Sequence, residues 1–542
     1  MKTKTIKNAI LTFASALLIL TLISGCVKIQ GPDSGSKDNS DGYADGDYPL
    51  KTDVSLNYWV GLNPNIAAVC SSMNETEFAK TVIEKTGIKV NYTHPPVGQE
   101  REQFSTMVAS NDMPDIVEYG WFGYPGGPQK AISDGAIMNL KDSLEKYAPN
   151  YTKLLKETPE IDKAMKTDTG DYFMFPFVRG DDILMTFYGG MIRQDLLEKA
   201  KLPVPETIDE WYTTLKAFKE MGLEYPLSLR IDPTILNTAP AFCGAYNVGG
   251  RFYLDGSTVK FGPVEAGFRE YLTTMAKWYK EGLLDKDFPS ITTDTKRLSS
   301  IFINGECGAT FGYCGSDFGR YITGGVAANP EFELVPFRYP VLKKGDKPEF
   351  AQRDIMVPGA GAAVSAKSKN QEMAMRFLDY AYSEAGHMVF NYGVEGVSYN
   401  MVDGVPTYSE LVTDPEKNGG LAVAQGIARY ALGSLQGPYV QDKHYVTQSY
   451  SNQVQKDALT LWMDNNMKNH TLPLLTYTPE ENATVSKKMA DIDTYVQEEL
   501  VKFITGVNSL NNYDKYLADL KSMDVEEIIK ITQDSYDRYQ KK

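Results

Sequence analysis

The chain has 542 residues, of which 42% are hydrophobic and 11% aromatic, and its 55 basic and 70 acidic side chains give a net charge of −15 at pH 7. A balance this acidic disfavours nucleic acid as a partner, because phosphate backbones are bound by clustered lysine and arginine. The cysteines have no zinc-binding spacing and the four histidines are scattered, so we predict neither a metal centre nor a cofactor.

The first residues predict a secretory signal with an acylation site. Lys2, Lys4 and Lys7 precede an apolar stretch over residues 9–23, which is shorter than the about 20 residues that a membrane-spanning helix needs. The stretch ends in Leu-Ile-Ser-Gly-Cys, which resembles a bacterial lipobox. We predict a signal peptide over residues 1–25 and a lipid anchor on Cys26 that holds the protein at a membrane surface. The alternative is an ordinary secretory signal with an incidental cysteine.

Residues 26–52 are predicted to form a flexible tether. Gly, Ser, Asp and Asn dominate this segment, and almost no apolar residue is available for burial. Its aspartates do not have the spacing of a calcium-binding loop. The remaining residues are enough for two domains.

The first folded elements predict a parallel sheet. Residues 55–60 and 88–92 have the pattern of strands, and a helix between them ends at Gly87. A strand, a helix and a strand in this order form a parallel pair with a right-handed crossover. Residues 114–119 are a further strand, and the loop over residues 120–127 follows its carboxyl end, where open α/β sheets bind ligands.

Later helices have clear sequence signals. A capping box at residues 207–210 opens a helix with Trp211 on its apolar face. A second helix over residues 264–282 carries Trp278 at helical spacing, so we predict that both tryptophans lie in the core. The same pattern predicts a helix over residues 524–539.

Four cysteines remain after Cys26, at positions 70, 243, 307 and 314. Cys307 and Cys314 form a bridge if the compartment is oxidising. Buried free thiols are the alternative, and the sequence leaves both open.

Several stretches of the chain resemble one protein family. They are residues 85–90, 113–116, 207–212, 279–285, 304–309 and 391–399. In this order and spacing they are similar to the extracellular solute-binding protein family 1 of ABC importers, in its branch of large lipoproteins related to alginate- and pectin-oligosaccharide binders. The resemblance covers nearly the whole chain after the predicted signal peptide.

The resemblance implies an α/β fold of the periplasmic-binding-protein-like type II, with two α/β lobes, a hinge and a ligand cleft between the lobes. Closure is expected by hinge motion. Chain crossings are expected near residues 172–177 and 356–361. This assigns residues 53–177 and 356–405 to lobe one, and residues 178–355 and 406–542 to lobe two.

One departure from the family concerns metal. Relatives close to the alginate binders follow the capped tryptophan helix with an Asp-, Asn- and Gly-rich loop that looks like a calcium site. Here residues 219–226 lack those oxygen ligands, so we predict that no metal binds there.

A sugar cleft needs flat aromatic faces and planar polar groups on loops at strand ends. In lobe one these requirements select Trp59, Asn63, Trp121 and Tyr124. Beyond the first crossing we select Tyr188 and Arg193, although an ion pair with Asp195 or Glu198 is the alternative for the arginine. The family pattern adds Tyr313 as an aromatic platform and Glu395 as a polar contact. From the Gly-rich turn around Glu395 we also select Tyr392 and Tyr399 as ligand contacts.

The resemblance implies a substrate-binding protein that captures an oligosaccharide for two permease subunits of an ABC importer. We expect a monomer, lipid-anchored on the extracytoplasmic face of the cell membrane of a monoderm bacterium, with no catalytic activity. The alternatives are a surface-anchored glycosidase or polysaccharide lyase, for which two carboxylates would suffice, and a sugar-binding sensor subunit. The sequence has no GxSxG or HExxH motif, which argues against an enzyme.

Overall fold

The computed structural model of the protein describes residues 48–231, 241–291, 296–433, 435–450 and 452–542. The predicted signal peptide, Cys26 and most of the predicted tether lie outside the described residues. The strands are β1 Ser55–Trp59, β2 Lys89–Thr93, β3 Ile116–Glu118, β4 Phe175–Pro176, β5 Val178–Arg179, β6 Tyr188–Arg193, β7 Tyr225–Leu227, β8 Phe252–Asp255, β9 Thr258–Phe261, β10 Cys307–Tyr313, β11 Leu334–Phe337, β12 Gly361–Val364, β13 Tyr399–Val402, β14 Val405–Tyr408 and β15 Val440–Gln441.

Helices cover about half of the described residues outside these strands. They are α1 Pro64–Ala67, α2 Glu77–Thr86, α3 Glu100–Ser110, α4 Gly127–Ser133, α5 Leu144–Tyr147, α6 Pro149–Glu157, α7 Pro159–Met165, α8 Gln194–Ala200, α9 Ile208–Glu220, α10 Ala266–Lys280, α11 Lys296–Ile303, α12 Gly319–Ala328, α13 Gln371–Tyr380, α14 Glu384–Tyr392, α15 Glu410–Thr413, α16 Pro415–Asn418, α17 Val423–Tyr430, α18 His444–Ser449, α19 Gln453–Met463, α20 Pro479–Thr505, α21 Tyr513–Ser522 and α22 Val525–Lys541.

The sheet of lobe one has the spatial order β2, β1, β3, β12, β4. β1 is parallel to both of its neighbours, with Leu56 opposite Val90 and Tyr58 opposite Ile116. β12 is antiparallel to β3 and β4. The strands predicted near the start of the folded chain are therefore confirmed, with slightly different bounds, and so is their parallel pairing.

Helix α2 begins and ends at residues that the sequence marks. The hydroxyl of its N-cap, Thr76, accepts a hydrogen bond from the Ala79 amide, and Phe78 is buried on its apolar face. Gly87 follows its last turn with φ of 73°, a left-handed conformation that favours glycine. A Cβ atom at position 87 would lie 2.1 Å from the carbonyl oxygen of Leu50, so a side chain is also excluded sterically.

The sheet of lobe two has the spatial order β11, β6, β10, β7. β6 is antiparallel to β10, which places Tyr188 directly opposite Tyr313. The predicted capping box of α9 is present, and Trp211 and Trp278 are buried in the core of this lobe as predicted. Both indoles pack edge-on against the ring of Phe242, at 5.2 and 5.1 Å.

The segments that join the lobes run side by side. The Phe177 amide donates a hydrogen bond to the Ala360 carbonyl, and the Arg179 amide donates to the Met356 carbonyl. These are the two regions in which we expected the chain to cross. β5 also pairs in parallel with β15, so a third segment of the chain passes between the lobes here.

The segment between β14 and β15 packs on lobe one. Ile427 and Tyr430 of α17 join Tyr392 and Tyr408 in one buried cluster, and α17 also contacts α1 and α2. We predicted residues 406–439 for lobe two. Their contacts place them with lobe one instead, because the chain crosses to lobe two only at β15.

The last helices pack on lobe two and also touch lobe one. α20 lies along α10, and α22 packs on α20 and β9. The guanidinium group of Arg538 pairs with the carboxylate of Asp168 at 2.6 Å, and the amino group of Lys542 lies 3.2 Å from the same carboxylate. Because Asp168 belongs to lobe one, this cluster connects the two lobes outside the crossing strands.

The cysteines at positions 70, 243, 307 and 314 are free thiols, and the last three are buried. Cys307 begins β10 and Cys314 follows its last residue, so the extended strand separates the two sulfur atoms. Of the two possibilities for this pair, the structure has the free thiols. Within the part of the chain that the structure describes, no helix combines the length and the apolar composition of a membrane span.

Candidate ligand-binding site

The carboxyl end of β10 carries two stacked aromatic rings. The ring of Tyr313, the last residue of β10, lies 6.2 Å from the ring of Phe187 with an angle of 12° between their planes. Tyr188 packs edge-on against Tyr313 at 5.0 Å. Phe187 and Tyr313 are half-buried, whereas Tyr188 is only 2% exposed. The first two residues therefore offer ring surface to a ligand, and Tyr188 supports them from behind, which corrects its prediction as a direct contact.

A buried cation lies behind this aromatic pair. The guanidinium group of Arg230 lies 5.4 Å from the Tyr188 ring centre and 5.3 Å from the Tyr313 ring centre. Its charge is paired with Asp317 at 2.8 Å, and the same carboxylate accepts a hydrogen bond from the Tyr313 amide. Among the described residues, the Tyr188 hydroxyl and the Arg230 Nε have no hydrogen-bond partner. Burial raises the pKa of Tyr188, so its hydroxyl keeps its proton and can donate.

The stack continues from lobe two into the crossing segments. The guanidinium group of Arg179, in β5, lies 5.0 Å from the Phe187 ring centre and 5.5 Å from that of Phe177. Its Nε donates to Asp354 at 2.7 Å, which fixes the plane of the group. Arg179, Phe187 and Tyr313 thus form a continuous row of planar groups beside the hinge.

Lobe one contains a cavity of about 320 Å³ at the carboxyl edge of its sheet. Glu118, the last residue of β3, lines it together with Asn63, Glu100 and Gln436. The Tyr58 hydroxyl donates to the Glu118 carboxylate at 2.6 Å. Burial raises the pKa of Glu118 to about 7.

Trp59 and Asn63 have different roles at this edge of the sheet. Trp59 is 7% exposed and packs edge-on against Tyr119 at 6.1 Å, and Tyr119 stacks on Phe104 at 4.0 Å. Trp59 therefore supports half-buried Tyr119 from within the lobe, which corrects its prediction as a direct contact. The Asn63 oxygen accepts a hydrogen bond from the Asn65 amide and caps α1, and this cap does not use the amide nitrogen of Asn63.

Trp121 and Tyr124, predicted as ligand contacts, are core residues of lobe one. Trp121 is 0% exposed, its indole nitrogen donates to the Val117 carbonyl at 3.1 Å, and its ring packs edge-on against Phe104. Tyr124 is 5% exposed, and its hydroxyl donates to Asp134 at 3.1 Å. A short helical turn after β3 directs both rings into the lobe, which corrects the prediction.

Arg193 was predicted as a ligand contact and forms an ion pair instead. Its guanidinium group donates to both carboxylate oxygens of Asp195, at 2.6 and 2.7 Å, and lies over the Phe332 ring at 4.3 Å. Both charged side chains are less than a tenth exposed. Arg193 is therefore a structural residue of lobe two, and Asp195 is the partner that the alternative named.

The three ligand contacts predicted around the turn after α14 differ in their exposure. Tyr392 is 0% exposed and its hydroxyl donates to Asp442 at 2.8 Å, and Tyr399 is 5% exposed with its ring 5.6 Å from that of Tyr392. Both tyrosines belong to the buried cluster under β13 and β14, which corrects their prediction as contacts. Glu395 is exposed at the turn, where its role as a ligand contact stays a prediction.

Several residues of these walls were missed from the sequence. Glu118 and Tyr119 were treated only as part of a strand, and Arg179, Phe187 and Arg230 were not considered. Phe187 could have been predicted from the pairing of β6 with β10, which places Tyr188 opposite Tyr313. The register of these two strands cannot be derived from the sequence. Among the described residues, no group of three or more histidine, cysteine or acidic side chains could hold a metal ion.

Sequence comparisons relate the chain to solute-binding proteins. The sequence model described as bacterial extracellular solute-binding protein matches residues 72–388. Lipoprotein LipO of Bacillus subtilis is 23% identical over 467 residues, 82% of this chain and 85% of LipO. The fructooligosaccharide ABC transporter substrate-binding protein FusA of Streptococcus pneumoniae is 22% identical over 525 residues, 91% of this chain and 92% of FusA. The polygalacturonan/rhamnogalacturonan-binding protein YtcQ of Bacillus subtilis is 22% identical, with 59% of this chain and 63% of YtcQ covered.

Structural comparisons agree on the fold. The alginate-binding protein AlgQ2 without calcium ion superimposes with a TM-score of 0.72 and 24% identity, covering 91% of this chain and all of that structure. FusA of Streptococcus pneumoniae in complex with kestose superimposes with a TM-score of 0.71 and 19% identity, covering 90% of this chain and 99% of that structure. These matches confirm the predicted type II periplasmic-binding-protein-like fold.

Proposed function

Because this chain belongs to the family of bacterial extracellular solute-binding proteins, we propose that it binds an oligosaccharide between its lobes and delivers it to two permease subunits of an ABC importer. The observation that carries the carbohydrate assignment is the half-buried stack of Phe187 and Tyr313 beside the crossing strands. Sugar rings present flat C–H faces that pack on aromatic rings, and their hydroxyls need planar hydrogen-bonding groups nearby.

The two walls supply such polar groups. On lobe two, the guanidinium group of Arg179, which is not fully buried, lies 5.0 Å from the Phe187 ring centre. On lobe one, Asn63 and Glu118 line the cavity. We propose Tyr313, Phe187, Glu118 and Asn63 as the main contacts and Glu395 as an outer polar contact.

The names of the relatives support a carbohydrate but leave its charge open. FusA is named for fructooligosaccharide, which is neutral, and YtcQ for polygalacturonan, which is acidic. Both names describe binding, and we propose that this chain likewise releases its ligand unchanged. An enzyme would leave new reducing ends or unsaturated products when the purified chain is incubated with an oligosaccharide that stabilises it.

A thermal-shift screen of oligosaccharides tests the proposal. A ligand present at 100 times its dissociation constant stabilises the folded protein by about 2.7 kcal/mol, so a true ligand raises the melting temperature. Tyr313→Ala should reduce that rise by about half at the same ligand concentration, because a tenfold weaker affinity leaves about 1.4 kcal/mol of stabilisation. Tyr279→Ala in α10 serves as the control. If no oligosaccharide in a broad panel raises the melting temperature, the carbohydrate assignment is wrong.

We also propose that the chain is a lipoprotein anchored through Cys26 on the extracytoplasmic face of the membrane. The support is the lipobox-like sequence and the similarity to a relative named as a lipoprotein. Cys26→Ser should move the protein from the membrane fraction to the soluble fraction, because the acyl chains supply the membrane affinity. Two permease genes next to this gene would favour the importer over a sensor subunit.

A further inference from the structure

The cavity in lobe one has an acidic lining. It is bordered by the loop after β1, by the ends of β3 and α3, and by the segment before β15. Its ionisable side chains are Glu100 and Glu118, its amide side chains are Asn63 and Gln436, and no lysine or arginine is among its described lining residues. Any group that enters this cavity therefore meets carboxylate oxygens and amides without a compensating cation.

Of these two carboxylates, Glu118 is the one whose pKa is raised by burial. It accepts a hydrogen bond from the Tyr58 hydroxyl at 2.6 Å, and it is absent from the ion pairs of the described residues. The pKa values of Tyr92, Tyr382 and Tyr439 are raised, chiefly by burial and in part by the charge of Glu118, so these tyrosines keep their protons. Among the residues described at the cavity, the one other charged side chain is Glu100.

Building on the proposed function, we infer that this cavity receives a neutral, hydroxyl-bearing sugar unit and excludes a uronate, with Glu118 as the residue that determines this specificity. A carboxylate accepts hydrogen bonds from neighbouring sugar hydroxyls, and such charge-assisted bonds are stronger than neutral ones. The carboxylate of a uronate would lie close to Glu118 in a partly dry site, where like charges repel strongly. The amide of Asn63 can donate to either kind of sugar and does not discriminate.

The ionisation of Glu118 adds a way to detect the effect. Because burial raises its pKa to about 7, the residue is largely neutral at pH 6 and largely charged at pH 8. Discrimination against a uronate should therefore be stronger at pH 8. The pKa values of Tyr58 and Tyr92 are raised above their ordinary range, so neither titrates between these two values.

The test is calorimetric titration of the full chain with matched neutral and acidic tetrasaccharides. Suitable pairs are galactotetraose with tetragalacturonate and mannotetraose with tetramannuronate. In each pair that binds, the neutral member should bind at least tenfold more tightly at pH 8. Glu118→Gln, which keeps an oxygen for the Tyr58 hydroxyl, should reduce this ratio at least threefold and remove its dependence on pH. The matched control is Glu102→Gln, which removes one exposed charge from α3 outside the cavity and should leave the ratio unchanged.

Each outcome decides between the two hypotheses. Tighter binding of the uronate, or a ratio that Glu118→Gln does not change, overturns the inference about the cavity and leaves the proposed carbohydrate function standing. Absence of binding across all four compounds and a wider panel overturns both. If Glu118→Gln does not fold, Glu100→Gln, which removes the other carboxylate that lines the cavity, replaces it and should also reduce the ratio.

Discussion

Trp121 and Tyr124 follow β3 and Tyr313 ends β10, yet of these three aromatic residues only Tyr313 offers its ring to a ligand. In lobe one, the turn after β3 directs Trp121 inward, where its nitrogen donates to the carbonyl of Val117. In lobe two, Tyr313 is still part of the strand, and Asp317 holds its backbone while its ring remains half-buried. Distance from a strand end is therefore a poor guide to exposure when the loop forms a helical turn.

The two regions also differ in whether the polar atoms of their buried side chains have hydrogen-bond partners. The polar atoms of Trp121 and Tyr124 are used within lobe one, whereas the Tyr188 hydroxyl and the Arg230 Nε have no partner among the described residues. Buried polar atoms without a partner are costly, so they are expected where a ligand or water completes the bonding. The same condition holds for the Trp211 nitrogen in the core of lobe two, so the exposed fraction of the ring, and not the state of its polar atom, distinguishes the candidate site from the core.

Trp121→Ala should have the largest effect on stability. Removal of a fully buried aromatic side chain costs about 3–5 kcal/mol of unfolding free energy, and the affinity of the folded fraction for sugar should be unchanged. Urea denaturation and calorimetry measure the two quantities. Trp121→Phe, which keeps a ring but loses the hydrogen bond, should lose less. A weakened affinity at unchanged stability would return Trp121 to the ligand site.

Tyr313→Ala should have the opposite signature. Loss of one stacking face should weaken binding roughly tenfold, equivalent to about 1.4 kcal/mol, while the unfolding free energy falls by less than it does for Trp121→Ala. Tyr279→Ala removes another half-buried tyrosine of lobe two and should leave the affinity unchanged. If Tyr313→Ala unfolds the lobe as readily as Trp121→Ala, the two loops are equivalent and the comparison fails.

Glu118 should make lobe one sensitive to pH. The folded state holds the Glu118 proton more tightly than the unfolded chain does, because burial raises the pKa from 4.5 to about 7. Its contribution to stability is therefore present below about pH 4.5 and is lost as the pH rises to about 7. Partial exposure reduces this contribution to about 1–2 kcal/mol. Urea denaturation at pH 5 and pH 8 should give a smaller difference for Glu118→Gln than for the unchanged chain, with Glu102→Gln as the control.

Metal removal should have the smallest effect of all. In lobe two, the segment after α9 lacks the oxygen ligands of a calcium loop, and the Lys219 amino group donates to the carbonyl of Glu281 there. Treatment with EDTA should leave the melting temperature unchanged. A decrease that calcium reverses would reveal a site in lobe two and would contradict this prediction.

Local sequence signals predicted much of the fold. The capping box of α9 and the glycine after α2 depend on a few neighbouring residues, and the structure contains both. Alternation of apolar residues also located the first strands of lobe one. The arrangement in two lobes was predicted from the family resemblance and not from local sequence patterns.

The candidate site was harder to predict because it depends on contacts between distant segments. Phe187 reaches Tyr313 only through the pairing of β6 with β10, and Arg179 reaches Phe187 only through the crossing strand. Nothing in the sequence distinguishes Glu118 from the other acids, since only the fold places it at a cavity. Arg193 was a different case, because its partner Asp195 is two residues away and the ion pair was already an alternative.

The burial of the tryptophans determines what intrinsic fluorescence can report. The chain has five tryptophans, at positions 59, 121, 211, 278 and 462, and the most exposed of them, Trp59, is only 7% accessible. Their emission should therefore lie towards the blue and resist quenching by acrylamide. Trp59 packs on Tyr119 at the edge of the sheet, so it is the indole whose surroundings change when a sugar enters or the lobes close. A change in emission on adding a ligand should disappear in Trp59→Phe, which makes this residue a built-in reporter of occupancy.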